Sequence, residues 1–199
     1  MSPHPSLCLA SSSPRRQEIL RALGLEFSVQ AVEVDEDRLA GETPQQMVLR
    51  LATDKAAAAD VDASCRVIGS DTVVVLGDEV LGKPRSRDEA VSMLLCLSGR
   101  RHFVLTGVAL RGPDGVQTAI SSTEVYFREI SRDEARAYWH SGEPRDKAGA
   151  YGIQGLGGAF VEAIKGSYSG VVGLPVFETV RLLQGAGIDV MAKQKDHDG

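Results

Sequence analysis

The sequence lacks several features that whole classes of protein require. It contains only 3 cysteines, Cys8, Cys65 and Cys96, without a CxxC pair, which indicates neither a zinc knuckle nor a disulfide framework and predicts three reduced core residues. No stretch reaches about 18 uncharged apolar residues, and the start, MSPHPSLCLA, has no basic region, so we expect a soluble cytoplasmic protein without a membrane span. The net charge of −5 argues against sequence-independent binding to a nucleic acid polymer.

Helical and strand patterns alternate along the chain. They predict one α/β domain over residues 1–199, with flexible ends at about 1–6 and 192–199. The predicted strands cover 7–10, 25–41, 67–76, 79–84, 103–110, 116–127, 160–164 and 168–172. Helices are predicted to begin after Ser13, Thr43, Ser86, Ser131 and Leu174.

A carboxylate interrupts the most apolar strand, VIGSDTVVVL at 67–76. A buried charge without a partner is costly, so Asp71 should be paired, bind a metal ion or face a cleft. Lys83 can return beside it across the hairpin. The alternative is a structural aspartate that satisfies a turn, and Asp71 alone does not separate the two interpretations.

Positive charge is concentrated near the amino terminus, in SSSPRR at 11–16. Ser13 suits a helix N-cap, and the N-terminus of the helix behind it offers N–H groups and a partial positive charge. Arg15 and Arg16 oppose that dipole and lower stability unless an anion binds. We therefore predict a phosphate cradle rather than a solvated basic turn. Lys55 lies on the apolar face of the next helix, so its head must either extend to solvent or reach an internal anion.

Glycine accumulates in DKAGAYGIQGLGG at 146–158. Such a density implies positive φ angles or backbone in close contact with another group. The alternative is a tight structural loop. Tyr151 could supply a stacking ring and Gln154 an amide that reads a nucleobase edge. With Glu36 and Asp71 as carboxylate ligands for Mg²⁺, the residues suit a nucleoside triphosphate, but by themselves do not choose between binding and hydrolysis.

Five motifs occur in an order that resembles the Maf family. They are LASSSPRR at 9–16, VDE at 34–36, GSDTVV at 69–74, GKPR at 82–85 and KAGAYGIQG at 147–155. The resemblance implies an elongated mixed sheet with flanking helices forming two lobes around a cleft, similar to inosine triphosphate pyrophosphatases (Maf/Ham1). It also implies hydrolysis of dTTP and UTP to monophosphate and pyrophosphate with Mg²⁺, Mn²⁺ or Co²⁺, removal of non-canonical nucleotides, a homodimer and a possible link to cell division arrest.

The resemblance also implies individual roles. Asp71 matches the general base, Glu36 a metal-binding or catalytic acid, and both would hold the metal. Ser13, Arg15, Lys55 and Lys83 match phosphate-side positions, Lys83 among the catalytic ones, while Arg16, Thr72 and Gln154 match positions that select the substrate. The alternatives are a 7-methyl-GTP pyrophosphatase, which Gln154 disfavours, and a nucleotide-binding regulator of septum formation, which could lack Glu36 or Asp71.

Overall fold

Strands and helices alternate along residues 7–191, the part of the chain that the computed structural model describes. The strands are β1 (Leu7–Leu9), β2 (Ser28–Val29), β3 (Arg66–Leu76), β4 (Glu79–Leu81), β5 (Arg101–Gly112), β6 (Gly115–Phe127) and β7 (Val161–Lys165). The helices are α1 (Pro14–Ala22), α2 (Pro44–Ala58), α3 (Arg87–Leu97), α4 (Arg132–His140), α5 (Tyr168–Val172) and α6 (Val176–Gly185). Three 3₁₀ turns cover Glu143–Asp146, Ala148–Ala150 and Leu156–Phe160. The ends predicted to be flexible lie outside the described residues.

The described strands form one mixed sheet of seven strands. Its order is β2-β1-β3-β5-β6-β7, and β4 pairs with β3. Strand β1 runs parallel to β2 and β3, whereas β4 is antiparallel to β3 and β7 is antiparallel to β6. The predicted mixed α/β class is therefore confirmed. Within the described residues, none of the helices combines the length and apolar character needed to cross a membrane.

The chain divides into two compact units. The first comprises the described parts of Met1–Asp71, Thr106–Ser121 and Gly173–Gly199. Successive side chains of a strand point to opposite faces, and β1 follows this rule: Leu7 and Leu9 pack with apolar residues of α1 and α6, whereas Cys8 packs with alanines of α2. The sheet of this unit is therefore covered by α1 and α6 on one face and by α2 on the other.

The second unit comprises Thr72–Leu105 and Ser122–Val172. Its core joins the apolar faces of α3 and α4 to β3, β5 and β6. Three buried rings meet there, with centroids 4.8 Å apart for His102 and Phe127 and 4.7 Å apart for Phe127 and Tyr151. His102 Nε2 lies 2.8 Å from the Tyr151 hydroxyl. Tyr151 thus belongs to the core, and its predicted role as a stacking ring is wrong.

Three further sequence-based predictions were wrong. Residues 168–172 form α5 and not a strand, because the Ser167 hydroxyl accepts a hydrogen bond from Gly170 N–H and initiates a helical turn. The strand predicted over 25–41 is reduced to Ser28–Val29, and an irregular segment follows it. Cys8 and Cys65 are buried as predicted, but Cys96 is exposed on α3.

Burial of His102 predicts a pH-dependent stability. Removal of the imidazole from water lowers its pKa from 6.5 to about 4, so between these values the unfolded chain binds more protons than the folded one. The free energy of unfolding should therefore fall by about 1 kcal/mol between pH 7 and pH 5.5 through this group alone. Urea unfolding of wild type and His102→Gln at both pH values tests this. The variant should lose less stability on acidification; an equal loss in both proteins would contradict the prediction.

Candidate functional site

Helix α2 lies unusually close to the sheet of the first unit. A Cβ atom added at Gly69 on β3 would come within 2.1 Å of the Ala52 carbonyl oxygen, and one at Gly107 on β5 within 2.3 Å of the Val48 carbonyl oxygen. Both glycines therefore let the helix backbone rest directly on the strands. This contact was not predicted from the sequence, because a glycine within a strand does not show which element packs against it.

Both ends of α2 are also fixed. Thr43 and Gln46 form a capping box, in which each side chain accepts a hydrogen bond from the other's backbone N–H. At the other end, the Arg111 guanidinium donates to the carbonyl oxygens of Ala57 and Ala59, which lack helical partners. A helix held at both ends and pressed against the sheet places Lys55 in a defined position.

The Lys55 ammonium group lies between two carboxylates. Its Nζ is 2.6 Å from Asp71 Oδ1 and 2.6 Å from Glu36 Oε1. The side chains of Lys55 and Asp71 are only 11% and 10% exposed, whereas Glu36 is 46% exposed. Of the two outcomes predicted for Lys55, the structure shows the second: it reaches an internal anion. The predicted proximity of Asp71, Glu36 and Lys55 is thereby observed, although their catalytic roles stay predictions.

Arg16 joins the same charged group. Its Nε donates to the Gly173 carbonyl oxygen at 2.8 Å, and its Nη1 donates to Ser11 Oγ at 3.2 Å. Removal from water lowers the pKa of the guanidinium, an effect that the nearby charge of Asp71 opposes. Arg15 acts in the same direction as burial, since it is a second nearby cation. Two positive side chains crowded in this way favour the approach of an anion.

A buried serine supports this arrangement from inside the sheet. The Ser70 hydroxyl lies 2.9 Å from the Gly107 carbonyl oxygen and 3.0 Å from that of Gly173, to either of which it can donate. Gly173 has a φ of 124°, which disfavours any other residue at this position. Its carbonyl oxygen also accepts the hydrogen bond from Arg16 Nε. Ser11 belongs to the predicted serine cradle, whereas sequence reasoning missed Ser70 and Gly173. The position of Ser70 directly before the buried Asp71 was the only available signal.

Ser13 begins α1 as predicted, but its side chain makes no capping hydrogen bond. Its backbone N–H instead donates to Ser11 Oγ at 3.2 Å. Arg15 follows in the first turn and is partly buried. The predicted serine and arginine cradle thus occupies a helix N-terminus, and the structure does not test whether it binds phosphate.

The remaining predicted residues lie in the second unit. Thr72 is a partly buried residue of β3. Lys83 is exposed and follows β4, whose pairing with β3 ends at Val74 and Leu81. The neighbouring Gly82 carbonyl accepts a hydrogen bond from Gly149 N–H at 3.0 Å, which ties the Lys83 segment to the glycine-rich stretch. The predicted pairing of Lys83 with Asp71 stays a prediction.

Gln154 is exposed near the tip of a short turn. The Gly155 N–H donates to the Gly152 carbonyl oxygen at 3.3 Å, which closes a four-residue turn with Gln154 at its third position. A side chain in this position has solvent around it and a fixed backbone beneath it. The structure therefore places Gln154 on the surface of the glycine-rich stretch, and its predicted contact with a nucleobase stays a prediction.

A divalent metal would find two carboxylates here. Among the described residues, no group of three or more His, Cys, Asp or Glu side chains could hold a metal ion. Glu36 and Asp71, however, share one cation, the Lys55 ammonium. Mg²⁺ commonly takes one or two carboxylates together with substrate phosphate oxygens and water. The donor set fits a metal that binds together with a phosphate ligand, rather than an all-protein cage.

The fold and these residues define the class of protein: a mixed-sheet α/β protein equipped to bind an anionic ligand. Comparison with protein families then identifies the family within this class. The family model described as "Maf-like protein" matches residues 6–186. The chain belongs to the Maf family, as the five motifs predicted.

Relatives of known name cover nearly the whole chain. A protein of Saccharophagus degradans is 51% identical over 189 residues, 92% of this chain and 90% of the relative. A protein of Vibrio cholerae is 53% identical over 179 residues, 89% of this chain and 96% of the relative. Both relatives are named dTTP/UTP pyrophosphatase. The solved Staphylococcus aureus Ham1 protein is 16% identical, with a TM-score of 0.42 over 61% of this chain and 71% of that one.

The close contact of α2 yields a prediction about stability. Gly69→Ala places a methyl group against the backbone of Ala52 and Ala56, so it should lower the free energy of unfolding by about 1–3 kcal/mol. Gly185→Ala is the matched control, because its nearest neighbour, Gln117 Oε1, is 3.5 Å away. Urea unfolding measures both. Equal stabilities for the two variants would show that α2 has room to withdraw from the sheet.

Proposed function

We propose that this protein is a nucleoside triphosphate pyrophosphatase that hydrolyses dTTP and UTP to the monophosphate and pyrophosphate. The observation that carries the proposal is the Lys55 ammonium held 2.6 Å from both Asp71 and Glu36. The names of the relatives, each more than half identical, supply the reaction and its substrates. The cluster supplies residues able to perform it, a proton acceptor beside cations that bind phosphate.

We place the attack of water at the α-phosphorus, so that pyrophosphate is the leaving group. In the proposed reaction, Asp71 accepts a proton from water as the water oxygen bonds to that phosphorus. The bond from phosphorus to the α,β-bridging oxygen breaks, and pyrophosphate leaves with its electron pair. Lys55 and Arg16 hold positive charge in the cluster, where they offset the charge of the phosphate oxygens. Ser13 and Arg15 would bind the phosphates from the start of α1, and Lys83 would assist them.

The proposal includes a divalent cation, Mg²⁺, Mn²⁺ or Co²⁺, held by Glu36 and Asp71. Such an ion would neutralise phosphate charge and polarise the phosphorus–oxygen bonds. Lys55, whose ammonium group lies 2.6 Å from an oxygen of each carboxylate, would contact phosphate, the role that the family resemblance implies.

Base selection is assigned to Gln154, with Thr72 and Arg16 as further selecting residues. An amide both donates and accepts hydrogen bonds, and a uracil or thymine edge presents acceptors as well as a donor. A purine would leave part of such a set unpaired, which can cost a large factor in kcat/KM. Glutamine at this position argues against the 7-methyl-GTP alternative, and retention of Glu36 and Asp71 argues against a regulator without turnover.

Further elements of the proposal rest on the family resemblance. They are a homodimeric state, a cytoplasmic location and the removal of modified pyrimidine nucleotides. A role in cell division arrest stays a prediction.

Pyrophosphate release across a panel of triphosphates tests the proposed function. We expect dTTP, UTP and 5-methyl-UTP to be cleaved at least about tenfold more efficiently than dATP, GTP and 7-methyl-GTP, because the proposed site places the amide of Gln154 against the edge of a pyrimidine. Chelation of divalent cations should abolish turnover, and added Mg²⁺ or Mn²⁺ should restore it. Faster cleavage of 7-methyl-GTP would contradict the base assignment, and no pyrophosphate from any triphosphate would contradict the reaction.

A further inference from the structure

The carboxylate of Glu143 is the fixed centre of the segment that carries Gln154. Its Oε2 accepts from Leu156 N–H at 2.9 Å, and its Oε1 accepts from Gly157 N–H at 3.1 Å. Both donors come directly after the turn that presents Gln154. Neither the motifs nor the comparisons assign a role to Glu143.

Tyr138 on α4 holds the other end of the same turn. Its hydroxyl donates to Glu143 Oε1 at 2.6 Å and accepts from Gly152 N–H at 3.0 Å. Its ring is packed edge-on against Phe160, with centroids 5.1 Å apart, so the hydroxyl has little freedom to move. Residues 152 and 156–157 are therefore tied to one hydrogen-bonded pair, and Gln154 lies between them in the chain.

The glycines of this segment allow that pair to approach. A Cβ atom added at Gly155 would come within 2.2 Å of Glu143 Oε2, and one added at Gly157 within 2.5 Å of the Tyr138 hydroxyl. Neither residue has a positive φ. Their need for glycine thus comes from close contact with a carboxylate and a hydroxyl, the second of the two reasons that the sequence suggested, and not from positive φ angles.

Charge strengthens the arrangement. Burial raises the pKa of Glu143, but the hydrogen bonds from Tyr138, Gly157 and Leu156 outweigh it and hold the pKa below its usual value. The carboxylate therefore stays ionised at neutral pH, and hydrogen bonds to an ionised acceptor are stronger than neutral ones. An amide in its place offers only one acceptor oxygen and puts an NH₂ group opposite a backbone N–H.

We propose that Glu143 and Tyr138 are positioning residues that fix the turn 152–155 and thereby set the base preference of Gln154. This inference rests on the proposed function, in which Gln154 contacts the base. Loosening the turn removes the fixed geometry that discriminates bases, and leaves the phosphate-binding residues of the first unit unchanged. Loss of either partner should thus reduce preference between bases without a matching loss of affinity for the triphosphate.

Binding of two non-hydrolysable nucleotides tests the inference. Calorimetry with the α,β-methylene analogues of dTTP and dATP gives a preference ratio for each protein. Glu143→Gln should lower this ratio about tenfold, since it leaves one or more backbone donors unpaired. Tyr138→Phe keeps the ring and should lower it in the same direction. Glu134→Gln is the matched control: Glu134 lies on α4 with Tyr138, accepts from Ser131 N–H and pairs with Arg128, and its loss should leave the ratio unchanged.

A double-mutant cycle shows whether the effect passes through Gln154. Once Gln154→Ala has removed the amide, adding Glu143→Gln should change the ratio little, because coupled residues are not additive. The inference would be overturned if the effects of the two substitutions on the ratio were additive. It would also be overturned if Glu143→Gln lowered the affinity for both analogues equally. So would a wild type that binds both analogues equally. A wild type that prefers the dTTP analogue but releases no pyrophosphate from dTTP would instead contradict the proposed reaction and leave the positioning role supported.

Discussion

The ion pair between Lys55 and Asp71 is the interaction on which the first unit depends. Both side chains are about nine-tenths buried, and removal of one partner from such a pair leaves an uncompensated charge. The pair forms only because α2 rests on Gly69 and Gly107 without intervening side chains. The distance between helix and strand therefore sets the geometry of the charged cluster, and a change of one methyl group at a glycine affects the chemistry of a lysine.

The charged cluster of the first unit and the turn that carries Gln154 in the second unit are held in place by different means. In the first unit, backbone contact and regular elements fix Lys55, Asp71 and Arg16, which suits charges that act on phosphate whatever the base. In the second, a carboxylate and a phenol that are hydrogen-bonded to each other hold a short turn through three hydrogen bonds from backbone N–H groups. Side-chain supports can change without altering the sheet, so in the proposed function the selection of a base can vary while the residues proposed for hydrolysis stay constant.

The sequence predicted most of the fold, because its helix starts carry local chemistry. Thr43 and Ser131 cap their helices through the predicted pattern, and the buried strand β3 follows its β-branched run. Residues 168–172 escaped prediction because a short apolar run does not separate strand from helix. Tyr151 and Ser70 were misjudged or missed because their partners, His102 and Gly173, are distant in the chain. Glu36 and Asp71 were grouped by their chemistry, and Lys55 was predicted by its spacing to reach either solvent or an internal anion, but the sequence did not show that Lys55 contacts both carboxylates.

Single-turnover hydrolysis of dTTP in ¹⁸O-labelled water shows whether the Asp71 cluster directs water to the α-phosphorus, as we propose. We expect the label to appear in the monophosphate, and Asp71→Asn to slow the reaction by about 10²–10⁴-fold while the protein stays folded. Label in pyrophosphate, or an Asp71→Asn variant that keeps more than about a tenth of wild-type activity, would contradict the proposal.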